Sequence, residues 1–368
     1  MIGLTSIEDR KNRHLEVSLK EDVQATVGTG FEDVGLIHRS LPEMDLEEVD
    51  TETKIFGHRL SAPFIISAIT GGTEKAAGIN QNLAEAAELL GIGMGVGSQR
   101  IALEDPSREY SFKVVRDRAP TAFILGNLGC PQLALGYGAE EARRCVEMID
   151  ADALALHMNP LQEVVQMRGE TKYRGVLSKI EEIVGGIDVP IVAKETGAGI
   201  SYEEAVQLER AGVQGVDVSG VGGTSWSATE QYIAKAYGES LQERLGKTFW
   251  NWGIPTAISV VEVSESTDLI VIASGGIRTG IDMAKAIALG ADAVGMAQPL
   301  LRYAVESAES LVDYVKRILL EFRVTMFLVG ARTISELKEV PVIICGRTGE
   351  WLRLRGFSPE DFIRRTEI

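Results

Sequence analysis

Short apolar runs recur along the chain. Each gives way to a glycine-rich or polar turn and then to a helix-like pattern. The runs are Phe64–Ala68, Gly93–Val96, Thr121–Leu125, Ala153–His157, Pro190–Lys194, Gly215–Ser219, Leu269–Ala273 and Asp292–Met296. Most are continuous rather than alternating, the pattern of strands buried on both faces. Between them, Gln81–Leu90, Tyr202–Ala211 and Ile281–Leu289 place apolar residues at the helical period. Gly212 and Gly290 follow two of these segments, where a left-handed residue stops a helix.

Eight such units predict an α/β fold, a (β/α)8 TIM barrel. A doubly wound sheet is the alternative. Its phosphate fingerprint, GxGxxG, belongs at the first strand–helix turn, where this chain has Ser67–Gly72, SAITGG. One domain is expected: an N-terminal extension or flap (1–60), the barrel (61–298) and a helical C-terminal extension (299–368) with a helix over Leu311–Val329. A long excursion after strand six, about 221–268, holds Trp226, Trp250 and Trp252. Packing or an oligomer contact is expected of Trp250 and Trp252.

The 368 residues are 45% hydrophobic and 24% charged, ordinary globular usage that excludes a disordered chain. Lys and Arg number 37 against 53 Asp and Glu, a net charge of −16. That argues against broad binding to nucleic acid or an anionic membrane, but a few local cations could still hold a small anion. Cys130, Cys145 and Cys345 form no CxxC, so no disulfide or cysteine-based zinc site is expected, and all three read as small apolar residues. The first residues lack an apolar core, and no run approaches the roughly 18 apolar residues of a membrane span. A cytoplasmic protein is expected.

In a barrel the site lies where strands end. Strand seven ends in Ser274–Gly280, SGGIRTG, and strand eight in Gly295–Pro299, GMAQP. Gly275 and Gly276 let backbone N–H groups approach a phosphate, and Arg278 adds charge; a plain glycine turn is the bland alternative. Strand ends one, two, three and six offer Ala68-Ile69-Thr70, Ser98, Asn127 and Ser219 with Thr224. These suit a planar phosphorylated cofactor, or else tight turns. Lys194 emerges from an apolar strand, which is costly without a negative partner. It could stabilise a reduced flavin at N1/O2, or pair with Glu195 or another carboxylate. His157, Asn159, Gln162 and Glu163 cluster after strand four. His157 and Asn159 could bind phosphate oxygens, Gln162 could face substrate, and Glu163 could hold Mg²⁺ with diphosphate and waters. Arg10, Lys11, Asn12, Arg13 and His14 form a cationic cluster, either a solvated face or a flap supplying charge to a diphosphate.

Together these segments resemble the type 2, FMN-dependent isopentenyl-diphosphate isomerases, most closely the archaeal members. The resemblance spans nearly the whole chain: Arg10-Lys11 with His14, SAITGG, GSQR (Gly97–Arg100), GNLG (Gly126–Gly129), HMNPLQE (His157–Glu163), AKETG (Ala193–Gly197), SGVGGTSW (Ser219–Trp226), SGGIRTG and MAQP. Ile69, Met158 and Val221 depart from the pattern without touching its polar roles. The resemblance implies movement of one C=C bond between isopentenyl and dimethylallyl diphosphate, with reduced FMN, Mg²⁺ and NADPH or NADH as reductant. It implies FMN at Ala68, Ile69, Thr70, Ser98, Asn127, Lys194, Ser219, Thr224, Gly275, Gly276, Ile277, Arg278, Ala297 and Gln298. Substrate would meet Arg10, Lys11, His14, Ser98, Gln99, Arg100, His157, Asn159 and Gln162, with the metal at Glu163. Catalytic roles would fall to Gln162, Lys194 and His157. A homotetramer or homo-octamer is also implied. A flavin oxidoreductase on the same barrel is the rival reading. The 2-hydroxy-acid oxidases need a His–Arg pair late in the barrel, and the last histidine here is His157. A non-catalytic flavin-binding protein is a second rival, which needs neither HMNPLQE nor the N-terminal cations.

Overall fold

The computed structural model describes residues 7–365. Eight parallel strands close into a barrel. In chain order they are β1 (Phe64–Ile66), β2 (Gly93–Gly95), β3 (Ile124–Gly129), β4 (Ala153–His157), β5 (Ile191–Lys194), β6 (Gly215–Asp217), β7 (Ile270–Ser274) and β8 (Ala293–Met296). β8 pairs with β1 to complete the ring, which excludes the open doubly wound sheet.

Six of the eight strands lie within the apolar runs, and β7 passes the end of its run by one residue, to Ser274. β3 starts later than its run and continues to Gly129. The Glu88 carboxylate takes the N–H groups of Thr121 and Ala122, and Asp152 takes that of Ile124 at 2.7 Å. Side chains thus replace the ladder before Ile124, whereas Leu125 to Gly129 pair fully with β4.

Helices form where periodicity and caps agree. The first barrel helix, Glu74–Leu90, is capped by Thr73, whose side chain accepts from Ala76 N, and ends at left-handed Gly91. The expected Leu311–Val329 helix begins earlier, at Ala308, because Ser307 caps it. A large apolar core lies between strands and helices. A smaller core fills the barrel, including Ile65, Phe123, Leu125, Val192 and Ile272. The hairpin Thr53–Ile55/His58–Leu60 supplies Ile55 and Leu60 to this inner core. It plugs one end and leaves the strand C-termini as the open mouth.

Strand Val34–Leu36 pairs antiparallel with Val342–Ile344, joining the two extensions. The excursion after β6 folds into helices Trp226–Tyr237, Ser240–Thr248 and Thr256–Ser264. Cys130 and Cys145 are buried, and burial pushes both thiols up to about 12. Cys345 departs from expectation: it is exposed, at the start of helix Gly346–Leu354. Among the described residues no helix is long and apolar enough to cross a membrane.

Candidate active site

A row of polar side chains rises from the strand ends. The register makes His157 the partner of Lys194, and Lys194 the partner of Asp217. Three neighbouring strands therefore deliver imidazole, ammonium and carboxylate to one level of the mouth. Lys194 Nζ lies 2.7 Å from Asp217 Oδ2, and both side chains are buried. Asp217 Oδ1 also accepts from Ser274 Oγ. The partner of Lys194 is thus Asp217 rather than Glu195. Glu195 turns into a nest of backbone N–H groups from Thr196, Gly197 and Ala198. Burial nevertheless raises its carboxyl to about 7.

The network fixes the histidine tautomer. Asn127 Nδ2 donates to Val96 O at 3.0 Å, so its Oδ1 is the acceptor facing His157 Nδ1 at 2.7 Å. His157 therefore carries its proton on Nδ1 and turns a lone pair at Nε2. Burial, with Lys194 and Lys11 nearby, lowers His157 to about 4, so the ring is neutral at physiological pH. Gly129 lets the ring lie close: a Cβ there would meet His157 Nε2 at 2.9 Å.

Pro160 at the first turn starts the short helix Pro160–Val165, which carries Gln162 and Glu163 inward. Asn159 Nδ2 donates to Gln162 Oε1 at 3.1 Å and to Glu163 Oε1 at 3.0 Å. Its Oδ1 accepts from Tyr173. Asn159 thus orients its neighbours with the amide expected to hold phosphate. Glu163 Oε2 accepts from Gln166 Nε2 and Glu170 N. Gln162 Nε2 donates to Glu230 Oε1 at 3.1 Å.

The N-terminal helix, Ile7–Lys20, closes over this row. Arg10, Lys11, His14, Leu15 and Ser18 line the cavity from it. His14 Nε2 meets Glu230 Oε1 at 2.8 Å, and the ring stands edge-on to Trp226. Lys11 Nζ donates to Ser98 O at 3.0 Å. Burial and neighbouring Arg10 push the Lys11 ammonium down to about 7. Arg13 points elsewhere, pairing with Glu16 over the Tyr237 ring.

Between the loops after β6 and β7 lies a glycine cradle. A Cβ on Gly275 would meet Gly220 O at 2.1 Å, and one on Gly223 would meet Gly276 N at 2.3 Å. Gly275 and Gly276 have φ of 100° and 83°, which glycine adopts without strain. Arg278 stands beside them, and its guanidinium donates to neutral oxygens of Gln24 and Ile277. A largely buried guanidinium with such partners suits an anion.

The cavity encloses about 270 Å³. Ala68, Ile69, Thr70, Ser98, Asn127 and Lys194 line it, as do Ser219, Thr224, Gly275, Gly276 and Arg278. Ala297 and Gln298 complete that side; Arg100, His157, Asn159, Gln162 and Glu163 form the other. Gln99 does not join them. It is fully buried, donating to Cys145 O and accepting from Asn127 N, so it braces Asn127 rather than meeting substrate. Ile277 likewise turns its side chain into the core. The structure adds Asp217, Glu230, Ser274, Gln24 and Trp226. Asp217 was findable, as a carboxylate in an apolar strand, and Glu230 as the one carboxylate in the first turns of WSATEQY.

The donor set fits a flavin mononucleotide: an anion cradle at one side, a cation at the strand ends, and one orphan. Ser67 Oγ is buried, lines the cavity and has no hydrogen-bond partner among the described residues. The residues fit Mg²⁺ as an ion carried with a diphosphate, since Glu163 brings a single carboxylate and no group of three metal-binding side chains occurs among the described residues.

Comparison with known proteins agrees with this geometry. A family model described as FMN-dependent dehydrogenase matches residues 18–128 and 138–343. The isopentenyl-diphosphate delta-isomerase of Methanosarcina barkeri is 49% identical over 363 residues, 98% of each chain. That of Thermococcus onnurineus is 51% identical over 354 residues, 94% of each. This chain belongs to the isopentenyl-diphosphate delta-isomerase family. Its barrel is shared with more distant solved structures. A flavocytochrome b2 variant superposes with a TM-score of 0.66 at 19% identity, over 88% of this chain and 81% of that one. A mandelate oxidase with an FMN adduct gives 0.60 at 20% identity, over 90% and 92%. At such identities these two bear on the fold alone.

Proposed function

We propose that this protein interconverts isopentenyl and dimethylallyl diphosphate with FMN held across the barrel mouth. The observation that carries the reading is the meeting, in one cavity, of a flavin-type floor and a cationic lid over the Gln162–Glu230 pair. Family membership supports it.

The reaction moves one C=C bond and leaves the oxidation state unchanged. An alkene is a very weak base, and its protonation creates a tertiary carbocation-like centre. Bound FMN, when reduced, supplies an acid–base N5 edge and an electron-rich face beside that centre. Ala68, Ile69, Thr70, Ser98, Asn127, Ser219 and Thr224 would hold it, with Gly275, Gly276, Arg278, Ala297 and Gln298 around its phosphate. Lys194 would stabilise the negative charge that reduction brings. Arg10, Lys11, His14 and Arg100 would anchor the diphosphate and oppose its loss from the allylic product. Glu163 would share Mg²⁺ with diphosphate oxygens and water. Gln162, held by its hydrogen bond to Glu230, would position the hydrocarbon or assist a proton relay. His157, held neutral chiefly by burial, would present the Nε2 lone pair to a ligand. NADPH or NADH is the proposed reductant, in a cytoplasmic homotetramer or homo-octamer. Exposed Leu241 and Trp252 are consistent with a subunit contact.

The test is anaerobic incubation with FMN, Mg²⁺ and isopentenyl diphosphate, with and without NADPH. Dimethylallyl diphosphate should form only when the flavin is reduced, without stoichiometric NADPH consumption. NADPH oxidation matched to substrate loss would move the reading to an oxidoreductase.

A further inference from the structure

We propose that Asp217 is a positioning residue that sets how much of the Lys194 charge a bound flavin feels. The inference rests on the flavin reading above and concerns a residue outside the expected cofactor shell.

Lys194 is 7% exposed and Asp217 is 2% exposed. Neither charge is stable alone at such depth, so each requires the other. The Lys194 ammonium lies 2.7 Å from Asp217 Oδ2, and Ser274 Oγ donates to the second oxygen. Both carboxylate oxygens are therefore spoken for, and the carboxylate cannot swing away. The β5–β6 register aligns the two residues, and Ser274 ends the next strand. Gly295 permits the cluster: a Cβ there would meet Ser67 Oγ at 2.3 Å and Ser274 Cβ at 2.9 Å. The orphan Ser67 hydroxyl on the cavity wall marks this level of the mouth as a place awaiting a polar ligand.

A lone ammonium beside N1/O2 strongly favours an anionic reduced flavin. Here the ammonium is already compensated, so its effect is damped. Two electrons and one proton convert FMN to its anionic hydroquinone, and a second proton at N1 neutralises it. In the wild-type site that anion adds to a neutral pair. In Asp217→Asn the flavin anion would itself become the counter-charge of the Lys194 ammonium.

The test is a dithionite titration of the FMN holoenzyme against a reference dye, with the N1 pKa followed by absorbance. Asp217→Asn should make N1 about tenfold more acidic, about one pKa unit. Its two-electron midpoint should rise, a tenfold change in equilibrium corresponding to about 30 mV. Lys194→Met, which leaves the carboxylate, should shift both quantities the opposite way. Ser274→Ala keeps every charge and removes one donor to Asp217. It should lower the midpoint slightly, and it serves if Asp217→Asn does not fold. Equal signs for Asp217→Asn and Lys194→Met, or no shift in Asp217→Asn and Ser274→Ala holoenzymes, overturns the inference alone. A wild-type protein that takes up no FMN overturns the flavin reading and this inference together.

Discussion

The floor of the cavity and its lid each present a lysine and a histidine but are held in opposite ways. On the floor, Asn127, His157, Lys194 and Asp217 sit on barrel strands whose register fixes their order. On the lid, Lys11 and His14 sit on one N-terminal helix. Their partners are Ser98 O and Glu230, far away in sequence and outside the barrel strands. Glu8 adds an ion pair to Arg108, and Ser18 O accepts from Gln298. The floor is over-determined by ladder and packing, so its charges can be buried. The lid rests on a few polar contacts around the buried Leu15, outside the strand ladder of the barrel. Floor substitutions should therefore register as stability and cofactor effects, and lid substitutions as ligand-affinity effects.

Lys194→Met is expected to break the floor most severely. It strands the Asp217 carboxylate, and removing one partner of a buried pair costs about 3–5 kcal/mol. Chemical denaturation of the FMN-free protein should show that loss, and turnover should fall with it. Gly275→Ala comes next. Its φ of 100° and the 2.1 Å approach to Gly220 O leave a methyl nowhere to go, because the obstacle is backbone. Overpacking of this kind costs about 1–3 kcal/mol. FMN affinity should fall further than stability, since the displaced loop is the proposed phosphate cradle. Fluorescence titration with FMN checks it, and unchanged affinity would remove the cradle assignment.

The same contrast explains what could be read from the chain. The floor was legible because continuous apolar runs mark barrel strands, and strand ends then carry the site. Asp217 obeys the same argument as Lys194, since a carboxylate in an apolar strand also needs a counter-charge. The start of β3 was not legible, because Glu88 and Asp152 replace ladder bonds through side chains distant in sequence. Gln99 lay in the right turn, yet the turn's sequence does not reveal that its amide is drawn to Cys145 O and Asn127 N. The lid was legible as a cationic cluster and illegible in its contacts. His14 and Glu230 are 216 residues apart, and Gln24 and Arg278 are 254 apart. No local pattern encodes such pairs.

Lys11 sharpens the comparison through pH. Its ammonium sits at about 7 in the open cavity because burial and Arg10 disfavour the charge. A bound diphosphate supplies the missing counter-charge and should raise it. Below pH 7 Lys11 already holds its proton, so binding takes up little. Near pH 8 the free site is mostly neutral and the complex charged, so binding should take up about one proton, given a shift of more than a unit. Calorimetry with inorganic diphosphate in buffers of different ionisation enthalpy measures that number. Lys11→Met should abolish the uptake and weaken diphosphate binding about tenfold, roughly 1.4 kcal/mol. The unliganded protein should show the linked effect. Unfolded Lys11 stays protonated to about 10.5, so between 7 and 10.5 the unfolded chain binds more protons and this group's contribution to stability rises with pH. A proton uptake equal at pH 6 and pH 8 would remove Lys11 from the diphosphate site.

The smallest effect belongs to Arg13, one turn of argument away from Lys11 and His14. It shares their helix, and by composition it belongs to the same cluster. The helical period sends it to the other side, where it pairs with Glu16 and lies 5.9 Å from the Tyr237 ring centroid. An exposed pair of this kind is worth little, because water screens it. Arg13→Ala should leave diphosphate affinity, proton uptake and Tm indistinguishable from wild type. If it instead weakened diphosphate binding as much as Lys11→Met, the lid would be acting through its summed charge rather than through placed donors. The distinction between lid and floor would then be one of field strength alone. Repeating the binding measurement at two salt concentrations separates these cases, since a summed surface charge is screened over about 8–10 Å at moderate ionic strength and a buried donor is not.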